Sequence, residues 1–280
     1  MKTRTSLLKR TVILIAVVAM QWMAWPADVA GSGDGSTNGG ANKGKLQVFI
    51  LAGQSNMVGA AKIATFDYIG DDPKTAAMLE EMRTRDGTPR IVEDTWISYY
   101  QAHEPNDPSG EGHGLLTAGY GGRKNFTELG ENIGPEFTFG IYLRKLLDAP
   151  ILIIKTAWGG KSLYMDFRPP SAGPFGLSEA DVKRIEERGG DVEEERAERA
   201  AKSGVYYRLM MGHVRHVLGD IKRVCPEYDP EAGYEIAGFV WFQGWNDMVN
   251  SGVYPRRGEP GGYDAYSDLL AQFIRDVRKD

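Results

Sequence analysis

Gln47–Gly59 reads Q-V-F-I-L-A-G-Q-S-N-M-V-G, and this stretch decides the fold. Val48 to Leu51 is a short apolar run with the β-branched and aromatic content of a buried strand. It halts at Gly53, where Gln54, Ser55, Asn56 and Met57 follow and Gly59 closes the turn. Open α/β sheets bind ligands beyond the carboxyl ends of their strands, and Ser55 falls at such an end. A serine there is a candidate nucleophile.

Two later strands end in similar turns. Ile151–Ile154 is a continuous β-branched run, the pattern of a strand buried on both faces, and it runs into K-T-A-W-G-G-K-S at Lys155–Ser162. Ile236–Phe242 ends in Q-G-W-N-D at Gln243–Asp247. Between these strands lie helix-like segments: Asp72–Arg83, Glu136–Leu147, Tyr206–Val224 and Tyr263–Lys279. In the last of these, Tyr266, Leu269, Leu270, Phe273, Ile274 and Val277 are expected to face inward. Alternating strands and helices predict a mostly parallel sheet with helices on both faces. A further strand is expected over Ile91–Tyr100. Leu177–Lys202, rich in Glu and Arg, reads as a solvated helical insertion without chemistry, broken at Gly189 and Gly190.

The remaining composition narrows the function. A net charge of −5 over 280 residues gives no reason to expect nucleic acid or an anionic membrane as partner. The single cysteine, Cys225, excludes an intrachain disulfide and a thiol-built metal cluster, and it is expected to be buried. Lys2, Arg4, Lys9 and Arg10 precede a mostly apolar segment, Thr11–Trp25, of signal-peptide size, with Ala27 and Ala30 as cleavage positions. Residues 1–30 are therefore expected to be a signal peptide, with an uncleaved anchor as the rival, and the protein to be exported to the periplasm or beyond. Residues 31–45, glycine- and serine-rich, are expected to be a flexible linker, and 46–280 the domain proper.

Acyl transfer to a serine requires a base and hydrogen-bond donors aimed at the developing oxyanion. The backbone N–H groups of Ser55 and Gly160 suit that role, with the side-chain amide of Asn246 or Gln243 as a third donor. For the two amides, capping of a following helix is an equal alternative. His103, His113, Tyr120 and Arg123 lie in a long glycine-rich region, 103–131, and are candidates for substrate contact, although solvated loop residues are the commoner case. His213 and His216 lie on an amphipathic helix and read as packing residues.

Four motifs carry a family resemblance: G-Q-S-N-M at Gly53–Met57, I-G-P-E at Ile133–Glu136, K-T-A-W-G-G-K-S at Lys155–Ser162 and W-F-Q-G-W-N-D at Trp241–Asp247. Together they resemble the sialate O-acetylesterase-like branch of the SGNH (GDSL-type) hydrolases, related to carbohydrate esterase family six. The resemblance runs from about Leu46 to Asp280. It implies a three-layer α/β/α fold and cofactor-free removal of O-acetyl groups from sugars such as sialic acid or acetylated polysaccharide. It places the nucleophile at Ser55, an oxyanion-hole glycine at Gly160 (Gly159 being one position off), and a side-chain donor at Gln243 or Asn246. The family's base lies in a D-x-x-H segment, whereas no histidine follows His216 here. The expectation is accordingly a domain short of its last strand and helix, with an exposed edge or apolar face. A substitute base at His103 or His113, a glycan-binding relative without chemistry, and an esterase for non-sugar esters are the alternatives.

Overall fold

The computed structural model describes residues 44–280. The expected signal peptide, and the linker except for its last two residues, lie outside the described residues. Seven strands are assigned among the described residues: β1 (Leu46–Gly53), β2 (Ala61–Lys62), β3 (Val92–Tyr100), β4 (Glu111–Leu116), β5 (Asn132–Ile133), β6 (Ile151–Ala157) and β7 (Tyr234–Phe242). Five form the main sheet in the order β4-β3-β6-β1-β7, and β2 and β5 pair separately. All main-sheet pairings are parallel except β3 with β4.

β6 is central and buried along its whole length, as its β-branched run predicts. The helices among the described residues are α1 (Ser55–Val58), α2 (Phe66–Ile69), α3 (Ala76–Met82), α4 (Pro135–Leu146), α5 (Glu179–Glu187), α6 (Val192–Lys202), α7 (Val205–Gly219), α8 (Trp245–Met248) and α9 (Asp264–Lys279). Alternate residues of each strand face opposite ways. Leu51, Ile97 and Ile153 pack with Phe137 and Ile141 of α4 on one face. Val48, Ile50, Leu152 and Ile154 pack with Val214 and Val217 of α7 on the other. Phe273 of α9 extends that second layer beside Met210. The result is the expected three-layer α/β/α arrangement.

Some details differ from the sequence reading. The glycine-rich region after His103 contains an antiparallel strand, β4, because pairing with Ser98–Tyr100 gives Glu111–His113 a ladder that their weak strand propensity conceals. Ile274 is 43% exposed rather than inward: the buried stripe of α9 is narrower and centres on Leu269 and Phe273. The helix read as extending to Val224 stops at Gly219 and resumes as a 3₁₀ turn, Ile221–Arg223. Cys225 is buried, as expected. α5 and α6 form the charged insertion, each started by an acidic or hydroxyl cap, Ser178 and Asp191.

β7 pairs only with β1 among the described residues. Tyr234, Ile236 and Phe242 are 39%, 49% and 47% exposed, which matches the expected apolar edge. No helix among the described residues is long and apolar enough to cross a membrane.

Candidate active site

Register brings the three glycine turns together. Gly53, the last residue of β1, pairs with Ala157 of β6 on one side and Phe242 of β7 on the other. The three strands therefore end level, with β1 in the middle. Their extensions, Gln54–Ser55, Trp158–Gly160 and Gln243–Asn246, converge on one rim. Gly53 must lack a side chain, since a Cβ would lie 2.2 Å from the Phe242 carbonyl oxygen. Gly160 turns through φ +73°, a conformation that side chains other than glycine's rarely adopt.

Ser55 opens α1 and is exposed, as are Asn56, Gly159 and Gly160. Neither the Ser55 N–H nor the Gly160 N–H donates to a protein acceptor among the described residues. A hydrogen-bonded chain ties the three turns together. Gln54 Nε2 donates to Asn246 Oδ1 at 2.8 Å, and Asn246 Nδ2 donates to the Gly160 carbonyl at 2.7 Å. An amide nitrogen carries two hydrogens, so one on Asn246 Nδ2 remains free. Gln54 Oε1 accepts from the N–H groups of Gly244 and Asn246, each at 3.2 Å.

Gln243 is differently placed. Its Nε2 contacts Asp247 Oδ2 at 2.6 Å, the Lys161 carbonyl at 3.0 Å and Gln54 Oε1 at 3.2 Å, three acceptors for two hydrogens. Asp247 is buried and accepts from the backbone N–H groups of Leu163 and Tyr164 and from the Tyr254 hydroxyl. Gln243 and Asp247 thus clamp the β6 and β7 turns to each other from below. Gln54 is a site residue that reading for nucleophiles missed. Its position next to Ser55, one residue past a strand end, was the available signal.

Beneath Ser55 lies an ion pair. Lys155 Nζ donates to Glu136 Oε2 at 2.5 Å, to the Val58 carbonyl at 3.0 Å and to the Tyr120 carbonyl at 3.1 Å. All three ammonium hydrogens are used, and the cation lies 4.0 Å from the Tyr99 ring centroid. Burial, partly opposed by Glu136, depresses the Lys155 ammonium to about 8. Glu136 Oε1 accepts from the Gly134 N–H. The pair joins the end of α1, the long loop and the start of α4.

All four histidines of the chain are described, and none contacts Ser55. His103 Nδ1 is 2.7 Å from the Tyr206 hydroxyl, past the end of β3. His113 lies on β4. With adjacent strands about 4.8 Å apart, β3 is roughly 10 Å and β4 roughly 14 Å from β1. Tyr120 is buried and Arg123 half-buried: Arg123 packs on the Tyr99 and Tyr120 rings and donates to the Phe126 carbonyl. Trp158 is buried core, whereas Trp245 is 58% exposed on the rim.

A serine, a histidine and a carboxylate do meet elsewhere, on the opposite face of β3. Ser98 Oγ donates to Glu111 Oε1 at 2.6 Å and lies 2.7 Å from His213 Nε2. The hydroxyl has one proton and the carboxylate takes it, so His213 Nε2 must be the donor to Ser98 Oγ. That is the reverse of the proton order a nucleophilic serine needs. Ser98 is also fully buried. Burial lowers His213 to about 4, so it is neutral at pH 7. Burial would raise the Glu111 carboxyl, but hydrogen bonds from Arg223 and Ser98 outweigh it and hold the group below its usual range.

The sequence profile of the family described as SASA, carbohydrate esterase, sialic acid-specific acetylesterase, matches residues 45–280. The chain belongs to this family. In SASA terms, the matched region takes in every turn just described. Among solved structures, a carbohydrate acetylesterase from Xanthomonas citri is similar at 14% identity and a TM-score of 0.41, over 83% of this chain and 38% of that one. A protein from Arabidopsis thaliana is similar at 16% identity and a TM-score of 0.35, over 84% and 68%. NanS is similar at 16% identity and a TM-score of 0.40, over 85% and 63%. The chain thus spans little more than a third of the length of the Xanthomonas protein. No curated protein matches the sequence. Among the described residues, no group of three or more His, Cys, Asp or Glu could hold a metal ion.

Proposed function

We propose that the chain carries the nucleophile and oxyanion hole of a serine-type carbohydrate O-acetylesterase. The observation that supports this best is the Ser55 hydroxyl beside two unpaired backbone N–H groups and the free Nδ2–H of Asn246. Ser55 Oγ attacks the acetyl carbonyl and passes its proton to solvent water at the exposed rim. The oxyanion is received by Ser55 N–H, Gly160 N–H and Asn246 Nδ2–H, while Gln54 holds the Asn246 oxygen away. The C–O bond to the sugar breaks, the sugar leaves as an alcohol after gaining a proton, and water then hydrolyses the acetyl-serine to acetate. We assign the side-chain donor role to Asn246, since the hydrogens of Gln243 are taken up by the clamp. The sugar, including sialic acid or an acetylated polysaccharide, and action outside the cytoplasm after export belong to the same proposal.

The proton of Ser55 has no imidazole acceptor in this chain. That observation favours one second reading, a glycan-binding relative that retains acetylated sugars uncleaved. Acetate release from O-acetylated sialic acid and acetylated xylan by the purified chain, compared with Ser55→Ala, separates the two. Release that depends on Ser55 supports the esterase. Saturable binding of the same sugars with no release supports the binding protein.

A further inference from the structure

A cavity of about 520 Å³ opens beside the buried Ser98–Glu111–His213 network. Its lining includes Asn106, Asp107, Glu111, His113, His216 and Arg223. It lies on the β4 side of the sheet, about three strand spacings or roughly 14 Å from the strand that carries Ser55. Its size falls within the range of small-molecule sites.

The floor is rigid and polar. Glu111 is 8% exposed and is gripped by Arg223, Nη1 to Oε2 at 2.7 Å and Nη2 to Oε1 at 3.0 Å, as well as by Ser98. His213 completes that network from α7 and stacks on Tyr100 with ring centroids 4.7 Å apart. These bonds hold Ser98, Glu111 and His213 in place, while Arg223 Nε is buried without a hydrogen-bond partner. The walls, in contrast, present groups with no hydrogen-bond partner among the described residues: the Asn106 amide, Asp107 Oδ2 and the imidazoles of His113 and His216. Asn106 sits at φ +56°, a strained conformation of the kind that accumulates at binding sites.

The charge balance selects the ligand. Apart from the imidazoles, the lining carries one cation, Arg223, and two carboxylates, Glu111 and Asp107. Arg223 and Glu111 offset each other in their bidentate pair, which leaves Asp107 as the uncompensated charge of the lining, so a ligand carboxylate or phosphate would face a like charge. A ligand with many hydroxyls and no charge meets carboxylate acceptors, an amide and two ring nitrogens.

We propose that this cavity binds an uncharged saccharide, as a second site that grips sugar residues distant from the ester. The proposal rests on the carbohydrate reading of the Ser55 site for its ligand class, but not on Ser55 chemistry. With only four histidines in the chain, the imidazole proton resonances report each region separately. The experiment titrates the full chain with unacetylated xylotetraose and cellotetraose, and with sialyllactose as the charged comparison. Saturable shifts of His113 and His216 with a neutral tetrasaccharide, and none of His103, are expected. Ser55→Ala should bind equally well, while His113→Ala and His216→Ala should each weaken binding about tenfold with unchanged thermal midpoints. No histidine shift with either neutral sugar, shifts confined to His103, or preference for sialyllactose would overturn the proposal. Acetate release without these shifts rejects this site alone. The shifts without acetate release reject the esterase reading and leave this site in place.

Discussion

Lys155 Nζ lies 2.5 Å from Glu136 Oε2, and neither side chain is reached by solvent. Through the Val58 carbonyl, the same ammonium also holds the end of the four-residue helix that Ser55 begins. Breaking a buried pair from one side leaves the other charge uncompensated. Lys155→Met is therefore expected to lower stability by about 3–5 kcal/mol. Lys155→Met combined with Glu136→Leu should recover much of that loss, because both charges are then gone. Urea unfolding of the two variants checks this, and equal losses would contradict it.

The Asn246 assignment is a statement about rate. Asn246→Ala should reduce turnover of an acetyl ester by about 10²–10³, with KM little changed. Gln54→Ala should lower turnover as well, by releasing Asn246 from its orientation, but Gln243→Ala should act chiefly on stability by leaving buried Asp247 short of a donor. Steady-state kinetics alongside thermal melts distinguish the three. A rate loss for Gln243→Ala without loss of stability would transfer the donor role to Gln243.

His213 gives the fold a pH dependence with a definite sign. Its folded-state value, lowered by burial to about 4, lies below the ordinary imidazole value of about 6.5. Between those values the unfolded chain binds the proton and the folded chain does not. Stability contributed by neutral His213 is thus present above pH 6.5 and is lost as pH falls towards 4, by about 3 kcal/mol in all. Urea midpoints at pH 7, 5.5 and 4.5 should fall accordingly, and His213→Gln should flatten this part of the profile.

The edge of β7 should make the protein self-associate. Among the described residues the outer edge of β7 pairs with no strand, and such an edge beside exposed Ile236 and Phe242 is a template for pairing with another chain. Sedimentation at rising concentration should show association that Ile236→Lys reduces. Monomeric behaviour at all concentrations would contradict this.

Much of the site was legible because it sits in local signals. The apolar runs leading to Gly53, Ala157 and Phe242 marked the strands, and the glycines at or after their ends marked the turns. What sequence could not supply was pairing. Only the level register of β6, β1 and β7 shows that these turns share one rim. Only the hydrogen-bond chain shows that Gln54 orients Asn246 while Gln243 serves Asp247. β4 was hidden because Glu111–His113 carries glycine and charge where a strand ordinarily carries branched residues, and its ladder with β3 overrides that preference. Lys155 looked like part of a turn motif and proved to be a buried ion, since its partner lies on another element 19 positions away.

The central claim is that Ser55 and the proposed oxyanion donors are already assembled in this chain, while none of its four histidines contacts Ser55. A small external base should then restore what the chain's own histidines do not provide. The measurement is acetate release from an O-acetylated sugar by the 280-residue chain as imidazole is added at constant pH and ionic strength. The account predicts a slow basal rate, a saturable rise with imidazole, and loss of that rise in Ser55→Ala. An imidazole effect of equal size in the wild-type chain and Ser55→Ala would contradict it.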